Sequence, residues 1–142
     1  MGKDAEFLNY IYQNAKMGVI GIDNIKDKIS DDELKNVIAT QKKEYQKIAD
    51  DASSILNELG LTEKDVSKMA KVSTYVMANL EMLKDDSSSN IAKLMIEGSN
   101  KGIIEINKNL NSYNNMNSKI IKLAKKLLAT EQHNIDELKI YL

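Results

Sequence analysis

Apolar residues recur along the chain in steps of three and four, the spacing that places side chains on one face of an α-helix. Over about residues 4–59, two such stripes are separated by a polar turn at Ser30–Glu33. Ser30 and Glu33 fit a capping box, in which Ser30 caps the second helix and Glu33 reaches back to it. Gly60 would end that helix in a left-handed conformation. The pattern therefore predicts a first helical hairpin.

Three further stripes follow Gly60. The first, over about residues 63–84, predicts an additional crossover helix between two hairpins. The other two predict a second hairpin over about residues 88–142, with a last stripe that runs to Leu142. The chain contains no Pro that would interrupt a helix. We therefore predict one all-α domain over residues 1–142, an up-down four-helix bundle of two repeated helical hairpins with an additional crossover helix.

The two hairpins share a sequence repeat. The stretch Lys16–Ile29 recurs 84 residues later (102 minus 18), so that Gly18 aligns with Gly102. A glycine inside a helix costs about 1 kcal/mol relative to alanine. We expect Gly18 and Gly102 to be structural residues that let neighbouring helices approach closely.

Polar residues interrupt the apolar stripe in the second helix of each hairpin. Gln41 lies in the middle of one stripe, and Glu44 lies on its edge; Glu131 and Asn134 hold the matching positions of the other. A carboxylate in a core must be paired or neutralised. We expect a hydrogen-bonded polar layer in which Gln41 or Tyr45 donates to Glu131, with a residual ligand or metal site at these four positions as the alternative.

Two antiparallel helical pairs joined by a long crossover resemble the ferritin-like superfamily. In metal-binding members, the second helix of each pair carries Glu-x-x-His and the first helix adds a Glu, all of them facing inward. Here the matching positions are Gln41-x-x-Glu44 and Glu131-x-x-Asn134, and the first helices have no carboxylate on their inward faces. The resemblance thus implies a divergent member in which most metal ligands are lost.

Composition excludes several classes of site. The chain has 20 basic residues, all Lys, against 21 acidic ones, and the absence of Arg and of a basic cluster argues against nucleic-acid binding. Without Cys there is no disulfide, thiolate nucleophile or zinc–sulfur site. The single His, His133, points away from its apolar stripe and is expected at the surface.

We expect a cytoplasmic protein that does not enter the membrane. No run of about 18 apolar residues exists to span a bilayer. Met1–Phe7 is polar and charged and is not followed by the apolar segment of a signal peptide.

These observations favour a non-catalytic, ferritin-like structural or interaction protein without a metal or other cofactor. One alternative is an enzyme, a divergent carboxylate-bridged di-iron or di-manganese oxidase or peroxide scavenger that uses Glu44 and Glu131. Another is a carrier that binds an apolar ligand between the helices. No motif in the sequence dictates a reaction.

A homodimer is expected from the apolar residues that lie off the stripes. Scattered exposed apolar side chains are ordinary, but a patch of them marks a partner surface. The residues concerned are Tyr10, Met17, Tyr75, Met82, Ile104 and Ile140.

Overall fold

The protein is described from a computed structural model over residues 2–63, 84–112 and 115–142. These ranges contain no strand, and the all-α prediction is confirmed. The helices are α1 (Gly2–Ile25), α2 (Asp32–Glu58), α3 (Ser88–Ser112) and α4 (Ser118–Lys139), with a 3-10 turn at Lys26–Lys28. The additional helix predicted over about residues 63–84 lies outside the described residues, apart from its first and last positions.

The four helices form two hairpins. Helix α1 packs mainly against α2, and α3 packs mainly against α4. In the first hairpin the Tyr45 ring lies against Gly18, and Lys42 Nζ lies 2.6 Å from Asp23 Oδ1. The later residue of α1, Asp23, contacts the earlier residue of α2, Lys42, so these two helices are antiparallel.

The hairpins then pack on each other in antiparallel pairs. Glu58, at the end of α2, pairs with Lys119 at the start of α4, and the Tyr141 hydroxyl donates to Glu33 at the other end. Gly102 of α3 faces Asn14 of α1. Helix α4 is antiparallel to α2 and, across the short connection from Ser112 to Ser118, to its hairpin partner α3. Helices α2 and α3 therefore run parallel, and α3 begins at the end of the bundle opposite to that where α2 stops.

One hydrophobic cluster takes side chains from all four helices, as the apolar stripes predict. Burial of such side chains is the main favourable term in folding. The largest fully buried ones are Phe7, Leu8, Ile11, Ile25, Leu34, Ile38, Ile48, Leu56, Ile91, Ile106, Ile120 and Leu127. Leu142 is an exception, since α4 ends at Lys139 and the Leu142 side chain is 63% exposed.

The caps of α2 differ in part from the prediction. The N-cap is Asp31, whose Oδ1 accepts a hydrogen bond from the Leu34 backbone N–H at 3.0 Å; Ser30 is exposed and the predicted capping box is wrong. A carboxylate caps as well as a hydroxyl and adds a favourable interaction with the helix dipole.

The predicted stop at Gly60 is confirmed. Gly60 has φ +73°, and its N–H donates to the Asn57 carbonyl at 3.0 Å. The N–H of Leu61 donates to the Leu56 carbonyl at 2.8 Å. This pair of bonds is a Schellman motif, which satisfies the last carbonyls of the helix.

Candidate functional site

Five polar side chains meet inside the bundle and interrupt its apolar core. We call them the polar layer: Gln41 and Tyr45 from α2, Ser99 from α3, and Glu131 and Asn134 from α4. All five are buried. Buried polar groups are costly unless they are hydrogen-bonded, so this layer is the place where the bundle departs most from a purely structural core.

Helical spacing brings these residues together. Gln41 and Tyr45 are four residues apart, and Glu131 and Asn134 are three apart, so each pair lies on one face of its helix. Because α2 and α4 are antiparallel neighbours, the two faces meet at the same level. Ser99 reaches the layer from α3 on the inward face, where small residues leave room for it.

The hydrogen bonds within the layer are long. The hydroxyls of Tyr45 and Ser99 lie 3.5 Å apart. Gln41 Nε2 donates to the Asn134 backbone carbonyl at 3.4 Å and to Glu137 Oε1 at 3.5 Å. Gln41 therefore anchors α2 to α4 through its amide nitrogen and leaves its amide oxygen free for another partner.

Glu131 is the only ionisable carboxyl among the five residues, and it is 3% exposed. Burial raises the pKa of this carboxyl to about 7, against the opposing effect of the Ser99 and Tyr45 hydroxyls. Burial, together with the charge of Glu131, also raises the pKa of Tyr45 far above its ordinary value. Near neutral pH the Tyr45 hydroxyl therefore stays protonated, while the Glu131 carboxyl passes between its protonated and ionised forms.

Four buried atoms of the layer have no hydrogen-bond partner among the described residues. They are Gln41 Oε1, Glu131 Oε2, Asn134 Oδ1 and Asn134 Nδ2. The Asn134 amide lies close enough to Tyr45 to lower the pKa of its hydroxyl, but without the geometry of a hydrogen bond. An unsatisfied buried group costs about 1–3 kcal/mol. The protein groups around the layer therefore leave some of its hydrogen-bonding capacity unused, at a cost in stability.

Tyr10 of α1 borders the layer, although the sequence pattern had placed it among the off-stripe apolar residues. Its ring packs against the core, and its hydroxyl accepts a hydrogen bond from Asn14 Nδ2 at 3.3 Å. Burial raises the pKa of Tyr10 to about 12, and the charges of Glu105 and Glu131 contribute. The only sequence signal for this contact is the four-residue spacing of Tyr10 and Asn14.

The two repeated glycines support residues at or beside the layer. A Cβ atom on Gly18 would lie 2.7 Å from Cδ2 of the Tyr45 ring, and one on Gly102 would lie 2.9 Å from Asn14 Nδ2. Real Cβ atoms do not approach other heavy atoms so closely, so a side chain at Gly18 would displace the buried Tyr45 ring, and one at Gly102 would require the end of the Asn14 side chain to move.

The structure brings together three of the four candidate residues named from the sequence. Gln41, Glu131 and Asn134 meet in the layer, while Glu44 is half-buried and stands outside these contacts. The His133 side chain is 64% exposed, with Nε2 3.4 Å from Glu137 Oε1. Among the described residues, no group of three or more His, Asp or Glu side chains is placed to hold a metal ion.

No protein-family model matches the chain, and no curated protein matches it. Among solved structures, the chain is similar to the crystal structure of a DUF305 fragment from Deinococcus radiodurans, with a TM-score of 0.80 and 10% sequence identity. The match covers 98% of this chain and 94% of that one. At this identity the likeness shows the fold alone, a helical bundle. No helix in the described part of the chain is long and apolar enough to cross a membrane.

Proposed function

We propose that the chain is a divergent ferritin-like bundle that acts in the cytoplasm as a non-catalytic structural or interaction protein, without a dinuclear metal centre. The observation that carries this proposal is the content of the polar layer, which has one carboxylate, Glu131, among two amides and two hydroxyls. In ferritin-like metal proteins, the same level of the bundle supplies about four carboxylates and two imidazoles.

The directions of the helices support the ferritin-like assignment. Helices α2 and α3 run parallel, so the connection from α2 to α3 joins opposite ends of the bundle. A single long connection of this kind is typical of ferritin-like folds, whereas simple up-down bundles use short loops throughout.

A single carboxylate is poorly suited to a pair of transition-metal ions. Two divalent ions bring four positive charges, and carboxylates normally offset them. Gln41, Asn134 and the two hydroxyls are neutral. Without more anionic ligands, the two ions would remain as uncompensated charge in a low-dielectric core.

In this proposal the layer specifies how the helices fit together. Gln41 ties α2 to the backbone of α4, and the hydroxyls of Tyr45 and Ser99 join α2 to α3. Such contacts are lost if one helix slides by a turn, so a polar layer can fix register at a cost in stability.

The oxidase alternative requires Glu44 to act with Glu131. Glu44 is half-buried and shares none of the contacts of the layer, which leaves Glu131 as the one carboxylate among its five residues, with Glu137 at its border 3.5 Å from Gln41 Nε2. We therefore do not favour this alternative.

The carrier alternative requires a cavity for an apolar ligand, and the feature that comes nearest to one is a surface groove. The groove has a volume of about 560 Å³ beside the turn between α1 and α2, and its lining includes Ile22, Ile29 and Ile38 as well as four lysines. Its position at the surface differs from the predicted site between the helices, and its lining mixes the apolar side chains with four lysines and Asp27. We do not propose it as the site of an apolar ligand.

Metal analysis tests the proposal. We expect the protein, expressed with added iron or manganese, to contain far less than one transition-metal ion per chain. Glu131→Gln should leave the helical circular dichroism spectrum unchanged. A content of about two ions per chain that disappears in Glu131→Gln would overturn the proposal and favour the oxidase.

We also propose that the protein is a homodimer. The off-stripe residues divide into three groups: Ile104 and Ile140 are 53% and 73% exposed, Tyr10 and Met17 are half-buried, and Tyr75 and Met82 lie outside the described residues. Light scattering should give about twice the 16.0 kDa of one chain at micromolar concentration. A mass near one chain that does not change on dilution contradicts this proposal.

A further inference from the structure

The unpartnered atoms of the polar layer are unevenly divided between acceptors and donors. Three are oxygens, Gln41 Oε1, Glu131 Oε2 and Asn134 Oδ1, and one is the amide nitrogen of Asn134. Each of the three side chains is more than nine-tenths buried. When Glu131 is ionised, a bound water supplies two donors and leaves one of the three oxygens without a partner. The excess of unpartnered acceptor oxygens indicates that the ligand of this layer is a cation.

The charge of the layer also indicates a cationic ligand. Glu131 is a buried acid, and the groups that act on its pKa are the neutral hydroxyls of Ser99 and Tyr45, with no lysine among them. Among the described residues, no lysine or histidine forms an ion pair with Glu131. When Glu131 is ionised, the layer holds one negative charge that needs a counterion.

We propose that the polar layer binds one small monovalent cation, sodium, potassium or ammonium, through Glu131 Oε2 and the amide oxygens of Gln41 and Asn134. The Tyr45 hydroxyl oxygen lies beside these groups and provides a further ligand. One positive charge neutralises the carboxylate, whereas a divalent ion would leave a net charge buried. Carboxylate, amide and hydroxyl oxygens are the ligands that hard cations prefer. This inference depends only on the layer and stands whether or not the protein is ferritin-like.

A proton competes with the cation for the same carboxyl. Burial raises the pKa of the Glu131 carboxyl, so a proton should displace the bound cation as the pH falls from 8.5 to 5.5. Tyr45 from α2 and Tyr10 from α1 stay neutral throughout this range, since the pKa of each is raised. The other charged groups nearby are Glu105 beside Tyr10 and Glu137 beside Gln41.

Thermal unfolding at pH 8.5 tests the proposal with the cations themselves as probes. Chloride salts of sodium, potassium and ammonium are compared with choline chloride at equal ionic strength. At ten times the Kd of the preferred cation, the melting temperature should be about 3–6 °C higher than in choline, and it should go on rising with the logarithm of the cation concentration. The salt that produces the rise separates a metal ion from ammonium.

Two variants and a second pH make the result decisive. Glu131→Gln should abolish the rise, whereas Glu44→Gln, which removes a half-buried carboxylate outside the layer, should keep it. Wild-type protein at pH 5.5 should also lose the rise, which covers the case in which Glu131→Gln does not fold. Equal melting temperatures in choline and in all three small cations at pH 8.5, or the same rise in Glu131→Gln or at pH 5.5, would overturn the proposal.

Discussion

The two hairpins present the same inward faces but place different chemistry at the centre of the bundle. In the first hairpin, α2 contributes Gln41, whose amide nitrogen donates a hydrogen bond, and Tyr45, whose hydroxyl is hydrogen-bonded to that of Ser99; both groups are neutral. In the second, α4 contributes Glu131 and Asn134, which include the carboxylate and three of the four unpartnered atoms. The repeat therefore gives several matching buried positions, such as Ile22 and Ile106, while most of the unpartnered polar atoms lie in the second copy.

The repeated glycines differ in the same way. Gly18 packs under the Tyr45 ring of its own hairpin partner, whereas Gly102 packs against Asn14 of the other hairpin. When the stripes of α2 and α4 are aligned, Tyr45 corresponds to Ile135, which has no ring for a glycine to accommodate. A repeated residue thus keeps its place in the helix but changes the neighbour that explains it.

The largest effect that we predict comes from filling these two positions. Gly18→Leu should lower the free energy of unfolding by about 3 kcal/mol or more, because the buried Tyr45 ring is held by its packing and has little room to move. Gly102→Leu should cost about 1–2 kcal/mol, since the end of the Asn14 side chain can turn away. Denaturant titrations of both variants give the comparison.

Gly2→Leu serves as the control for this pair, because nothing lies within 4 Å of a Cβ at Gly2. It should change the free energy of unfolding by less than about 0.5 kcal/mol. Equal losses in Gly18→Leu and Gly102→Leu would mean that the glycines are equivalent. An unchanged midpoint in Gly102→Leu would mean that this residue does not face α1.

Local sequence signals predict much of this bundle because they act within one helix. Periodicity identifies the buried faces and the inward positions of Gln41 and Glu131, and Gly60 marks the end of α2. Contacts between helices carry no such signal. The partial burial of Tyr10, and the effect of the Glu131 charge on its pKa, depend on how the helices pack together, and the pattern alone assigns Tyr10 to the surface.

The sequence pattern also cannot decide which of two adjacent residues caps α2. Ser30 and Asp31 can both cap a helix, and the outcome depends on where the turn leaves α1. The helix α1 ends at Ile25 and a 3-10 turn follows, so the chain enters α2 one residue later than the capping-box pattern predicts.

The second prediction concerns the pH dependence of stability, which should come from the second hairpin. The pKa of Glu131 is raised to about 7 in the folded state from an ordinary value of 4.5. The contribution of a group with a raised pKa is fully present below the unfolded pKa and is lost as the pH rises through the folded one. The free energy of unfolding should therefore fall by about 3 kcal/mol from pH 4.5 to above pH 7.

Glu131→Gln isolates this effect, because it gives both hairpins a neutral amide at the same level of the bundle. With choline as the only added cation, the difference in unfolding free energy between wild type and Glu131→Gln should change with pH by the full amount predicted for Glu131. A difference that stays constant from pH 4.5 to pH 8 would show that Glu131 does not titrate in this range.

The smallest effect compares the caps that begin the second helix of each hairpin. Asp31 accepts from the Leu34 N–H at 3.0 Å, and Asn117 accepts from the Lys119 N–H at 2.8 Å. Asp31→Ala should cost about 1–2 kcal/mol and Asn117→Ala about 1 kcal/mol, because Asp31 adds a negative charge at the positive end of the helix dipole. Ser30→Ala, the control, should change stability by less than about 0.5 kcal/mol. Denaturant midpoints at low and high salt separate the two contributions: the excess for Asp31 should shrink in salt, while the hydrogen-bond part common to both caps should persist. A loss in Ser30→Ala that exceeds the loss in Asp31→Ala would restore the capping box and place the start of α2 one residue earlier.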